Sequence, residues 1–125
     1  IQSLCEITVM AEKAGIPRHV FLEAMNNSVM GSMYTRYKTP ALVNLDFTTT
    51  FTPTLLLKDM DLGLTAAKKY GVPMPVAAAT RMVCAANANV RPGDIDFATL
   101  LLEQARASGI ELKAENVPVS DGLQD

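Results

Sequence analysis

Apolar residues return along this chain at intervals of three and four, the spacing of one face of an α-helix. In residues 1–14, Leu4, Ile7, Ala11 and Ala14 form such a stripe, widened by Cys5 and Met10. Residues 17–27 repeat the pattern with Val20, Phe21, Ala24 and Met25, and Pro17 sits where a helix tolerates a missing N–H. A loop over 28–33 leads into a third helix at 32–43. Pro40 is expected to kink or break that helix just before it, because the ring removes a donor and crowds the preceding turn. Residues 44–52 are rich in Thr and Phe, lack a helical period and read as an extended loop. Thr52 caps the next helix, Pro53 takes its first turn, and the helix runs to about Tyr70. An alanine-rich helix over 75–89 follows, then a turn at Arg91-Pro92-Gly93-Asp94. Asp94 or Asp96 caps a final helix over 96–108. No segment alternates with a period of two, so the expected fold class is all-α, with about six helices. Residues 111–125 are polar and acidic and are expected to form a mobile tail.

One phrase ends three of these helices. Ala11 to Gly15-Ile16, Ala67 to Gly71-Val72 and Ala105 to Gly109-Ile110 each place Ala, three residues, Gly and a β-branched residue in order. This is helix-stop chemistry, in which Gly takes the left-handed conformation and the next residue makes an apolar closing contact. The unequal spacings exclude a solenoid repeat.

The helix from Pro53 differs from the others. With Met60 at the origin of a helical wheel, Leu56, Leu57, Gly63, Leu64 and Ala67 gather on one side. Leu55 and Leu62 fall on the opposite side, roughly 200–220° round, with Ala66 beside them. A helix that is apolar front and back expects cover on both faces. Lys58 and Asp59 flank the second patch, where charged groups need partners. A plainer alternative is a solvated stripe of Thr54, Lys58, Asp61 and Thr65, with Lys58 and Asp61 as a surface pair three residues apart. Phe47 and Phe51 read equally well as core anchors, and His19, beside Arg18, reads as surface.

Composition narrows the function classes. The chain has 125 residues, one domain's worth, and 49% hydrophobic residues suffice for a core. Net charge is −2 and the 11 basic residues are scattered, which argues against a nucleic-acid partner. Two cysteines inside helical patterns imply buried thiols, a reducing compartment and cytoplasmic localisation. No apolar run is long enough for a membrane span. The opening Ile1-Gln2-Ser3-Leu4-Cys5, capped at best by Ser3, reads as mid-helix, as in a fragment or a chain without its upstream part. One His and two distant Cys supply no metal site, and neither a G-x-G-x-x-G cradle nor a G-x-S-x-G elbow is present. No complete catalytic set is present in these residues.

The stretch from Phe47 to Leu64, with Phe51, Thr52-Pro53 and Lys58-Asp59 in register, resembles the C-terminal domain of the β-hydroxyacid dehydrogenase family. This is the 3-hydroxyisobutyrate dehydrogenase and tartronate semialdehyde reductase group. Gly71-Val72-Pro73-Met74-Pro75, Gly93-Asp94-Ile95-Asp96-Phe97 and the opening Ala11-Glu12-Lys13-Ala14-Gly15 extend the resemblance over residues 1–110. It implies a helical domain like the C-terminal domain of 6-phosphogluconate dehydrogenase-like enzymes. It further implies an NAD or NADP cofactor held mainly by an N-terminal Rossmann domain, with a Lys-x-x-x-Asn motif supplying the acid/base lysine, both lying before Ile1. Within this chain, it implies that Lys58 reaches the nicotinamide cofactor and that Phe51, Asp59 and Ser32 border the hydroxyacid substrate. A homodimer through exposed helix faces is expected. The competing readings are a stand-alone helical dimerisation module without activity, and a small-ligand binder using the Leu55/Leu62 patch.

Overall fold

A computed structural model describes residues 1–123. Among them are six α-helices, one 3-10 turn and no strand, as expected. The order is α1 (Gln2–Lys13), α2 (Arg18–Asn26), α3 (Met33–Asn44), α4 (Pro53–Tyr70), α5 (Pro75–Val90), the 3-10 turn (Phe97–Thr99) and α6 (Leu100–Ala107). The chain divides into two compact units. Among the described residues the first holds 3–46 and 101–123, and the second holds 47–100.

In the first unit α2 packs on α3, and Leu4, Val9, Leu22, Leu42, Val43 and Leu101 are buried. Ser32 caps α3 in a reciprocal box. Its Oγ accepts from the Thr35 N–H, and its own N–H donates to Thr35 Oγ1. The expected break at Pro40 does not occur, and α3 runs through it to Asn44. Lys38, Thr39, Ala41, Leu42 and Val43 are all buried. That burial offsets the one helical bond Pro40 withholds. Ser3 caps nothing, since Ile1 occupies the N-cap of α1 and makes no side-chain bond there.

After 110 the chain packs within the first unit as far as Val117. Leu112 is buried. Arg18, wholly buried, donates from Nε to the Leu42 carbonyl at 2.7 Å, and from Nη2 to the carbonyls of Val43 at 2.8 Å and Lys113 at 2.6 Å. Glu115 accepts from the Arg18 and His19 N–H groups, and Asn44 bonds both the N–H and the carbonyl of Val117. Polar composition suggested a tail, but these polar groups serve as partners for buried backbone and a buried cation. Gln124 and Asp125, also assigned to that tail, lie outside the described residues.

In the second unit α4 and α5 pack along each other. Thr52 caps α4 by accepting from the Leu55 N–H, and Gly71 closes it at φ 68°. Asp96 joins the loop before α4 to the 3-10 turn. It is buried, and its carboxylate accepts from the N–H and Oγ of Thr50 and from the Ala98 N–H. The Phe97 N–H donates to the Phe51 carbonyl, and the two rings meet edge to face at 6.1 Å.

The three stops are built alike. The N–H of Ile16, Val72 and Ile110 donates to the carbonyl of Ala11, Ala67 and Ala105 respectively, while Gly15, Gly71 and Gly109 close the inner bond. These are paired six-to-one and five-to-two bonds, and each glycine has positive φ.

Candidate functional site

Helix α4 carries the candidate residues because its two sides meet different surroundings. Leu56, Leu57, Met60, Leu64 and Ala67 are half-buried. On the other side Leu55 is 41% and Leu62 62% exposed. The two-sided apolar pattern is therefore real, and the outer patch has no cover among the described residues. A shallow groove of about 360 Å3 runs along that outer side, lined by Thr54, Leu57, Lys58, Asp61, Leu62 and Thr65. The polar stripe of the sequence and the outer leucine thus border one surface.

Lys58 and Asp59 project into solvent, with side chains 59% and 52% exposed and a separation of 3.4 Å. An exposed contact of that length is weak, about 0–1 kcal/mol for such pairs. The expected alternative pair, Lys58 with Asp61, does not form. Arg81 of α5 donates from Nε to Asp61 Oδ1 at 2.6 Å and from Nη2 to Oδ2 at 3.1 Å. The hydrogen bond from Arg81 holds the Asp61 carboxyl below its usual range, and Asp61 in turn raises Arg81. Sequence pattern missed this pair because its members lie 20 residues apart on different helices.

Phe51 stands at the head of the same unit, half-buried against Phe97, so its ring is a packing group as well as a candidate. Ser32 lies in the other unit, where its hydroxyl is engaged as the α3 cap. Lys58, Asp59 and Phe51 therefore share one compact unit, and Ser32 does not.

The first unit has a cleft of its own, about 370 Å3, lined among others by His19, Asn26, Arg36 and Thr39. His19 is not a plain surface residue, since its Nδ1 lies 2.7 Å from Glu115 Oε2. Burial alone would raise the Glu115 carboxyl. The His19 side chain and N–H and the Arg18 N–H and charge outweigh it and hold the carboxyl below the usual glutamate range. Gly31 lies in the loop before α3 because the Asn26 backbone occupies the space a Cβ would need.

Cys5 and Cys84 are buried and unbridged, and burial pushes the Cys84 thiol up, away from reactivity. No described helix is long and apolar enough to cross a membrane. The described residues contain no cluster of three His, Cys, Asp or Glu that could hold a metal ion.

Residues 1–103 match a family model described as NAD-binding of NADP-dependent 3-hydroxyisobutyrate dehydrogenase. The fold is similar to a crystal structure of 3-hydroxyisobutyrate dehydrogenase from Salmonella typhimurium, with TM-score 0.75 and 22% identity. That alignment covers 81% of this chain and 35% of the other, so the chain spans about a third of its structural relative. No curated protein sequence matches.

Proposed function

The chain belongs to the family described as NAD-binding of NADP-dependent 3-hydroxyisobutyrate dehydrogenase, and from that premise we propose that it forms the substrate-side and dimerising part of an NAD(P)-dependent oxidoreductase acting on a β-hydroxyacid. The observation that carries this reading is Lys58. Its ammonium is exposed on the outer face of α4, beside a groove, with one weak acidic contact among the described residues. A cation so placed fits one anionic end of a bound molecule, a substrate carboxylate or a cofactor phosphate. It does not fit a whole dinucleotide, because the chain has no glycine-rich cradle for the pyrophosphate.

The nicotinamide cofactor, when bound, accepts the hydride. This chain's residues orient what lies against it. Lys58 holds an anionic group by charge, the Leu55/Leu62 patch receives apolar surface and excludes water, and Asp59 and Phe51 limit the substrate end. Lys58 is not the proton-transferring base in this scheme. Hydride removal from a hydroxyl carbon needs a separate base at that oxygen, a role the upstream lysine of the family motif fills.

Self-association rests on helix α5. Val76, Val83 and Val90 recur every seven residues, with Ala79 and Ala86 three beyond the first two. All of these except the half-buried Val83 are exposed, Val76 by 77%, and Met82 at their edge by 72%. A seven-residue apolar seam with small residues at alternate positions suits close packing of one helix against its copy.

The test is Lys58→Gln in an enzyme carrying this chain behind its dinucleotide-binding domain. A charge-assisted contact contributes about 1.5–3 kcal/mol, so kcat/KM should fall roughly ten- to hundredfold. The thermal midpoint should stay within about one degree, because an exposed lysine adds little to stability. Unchanged kcat/KM would remove Lys58 from the site.

A further inference from the structure

Resting on the reading of Lys58 as the cation of this site, we propose that Arg81 is a positioning residue that keeps Lys58 open to an incoming anion by occupying Asp61. Lys58 and Asp61 are three residues apart on one helical face and line the same groove. That spacing ordinarily pairs them. A carboxylate beside the ammonium would compete with any anionic ligand for it. The structure holds the two apart by chemistry rather than by distance along the chain.

The guanidinium of Arg81 takes both oxygens of Asp61, with Nε on Oδ1 at 2.6 Å and Nη2 on Oδ2 at 3.1 Å. Such a two-point planar fork outcompetes a flexible ammonium that offers a single point of charge. Arginine cannot be deprotonated at any working pH, so the capture does not switch off. Among the described residues Lys58 keeps only its contact with Asp59, at 3.4 Å and largely in solvent. Without Arg81, Asp61 remains ionised at neutral pH and turns to the nearest cation on its own face. Arg81 itself does not line the groove, so it acts through Asp61 and touches no ligand.

Acylation of Lys58 by a small succinimidyl ester, read by mass spectrometry against Lys113 as internal reference, tests the idea without any ligand. Acylation consumes the neutral amine, and an ion pair favours the ammonium. In Arg81→Gln the Lys58 rate should fall about two- to fivefold, the range of a surface pair. In Arg81→Gln/Asp61→Asn it should return to the parental rate. General loosening of the helices would raise lysine rates together and would not be reversed by Asp61→Asn. An unchanged rate in Arg81→Gln, or no return in the double variant, overturns the proposal. Asp61→Asn alone supplies a check that does not depend on Arg81→Gln folding. Its Lys58 rate should equal the parent's, and a marked rise would show that Asp61 already pairs with Lys58. In the assembled enzyme kcat/KM of Arg81→Gln should fall below the parent's. Failure of the Lys58→Gln test with these rates as expected would sink the site reading and leave the ion-pair exchange standing.

Discussion

Single residues show most directly what pattern can and cannot convey. The position of Lys58 on an outer face was legible because a helical wheel needs only the helix's own residues. The partner of Asp61 was not, since Lys58 and Arg81 both satisfy its charge and only tertiary packing chooses between them. Arg18 was missed for a related reason. A basic residue after a proline at a helix start looks like surface, yet it is wholly buried, and its Nη1 also lies 3.1 Å from Glu12. Glu115 makes a prediction at this scale. Its carboxyl is held below the usual glutamate value of 4.5 in the folded chain, so its stabilisation is complete above that value and disappears as pH falls through the lower folded one. The urea midpoint should therefore decline below about pH 4.5, and Glu115→Gln should flatten that decline. At neutral pH the same variant should cost about 1–3 kcal/mol through lost charged hydrogen bonds.

At the level of elements, punctuation by local chemistry was read correctly and punctuation contested by burial was not. The three Ala-to-Gly stops form as expected because their bonds close within six residues. Thr52-Pro53 likewise starts α4 on local chemistry alone. Pro40 fails as a breaker because the buried residues around it hold the helix together. Composition also cannot see that Arg18 takes the Lys113 carbonyl. Two glycines of the second unit separate these influences. Gly71 sits at φ 68°, and Gly71→Ala should destabilise by about 1–2 kcal/mol. Gly63 lies inside α4 with open space where a Cβ would go. Gly63→Ala should stabilise by about 0.4–1 kcal/mol. Thermal denaturation of the pair measures both, and equal shifts of one sign would contradict the conformational argument.

For the molecule as a whole, family membership and an all-helical fold were legible from motif order alone, whereas the surface of α5 was not. An alanine-rich sequence does not tell which face is covered, and Val76, Ala79, Ala86 and Val90 remain exposed. A homodimer through that seam predicts a dimer in sedimentation equilibrium at high concentration. Val76→Glu/Met82→Glu should give a monomer with unchanged circular dichroism. A parent that stays monomeric at that concentration would leave the seam for some other occupant.

The guanidinium of Arg18 has a practical consequence for anyone dividing this protein. The matched family region stops at residue 103, but one acceptor of this cation lies at Lys113, and the carboxylate on its own N–H belongs to Glu115. A version ending at 110, where the last glycine stop invites a cut, would strand a charge in the interior with fewer acceptors. Losing a hydrogen bond to a charged group costs about 1.5–3 kcal/mol, a sizeable part of the margin by which a small domain stays folded. The shortest stable piece should therefore extend through Val117, and limited proteolysis should spare that stretch while cutting beyond it.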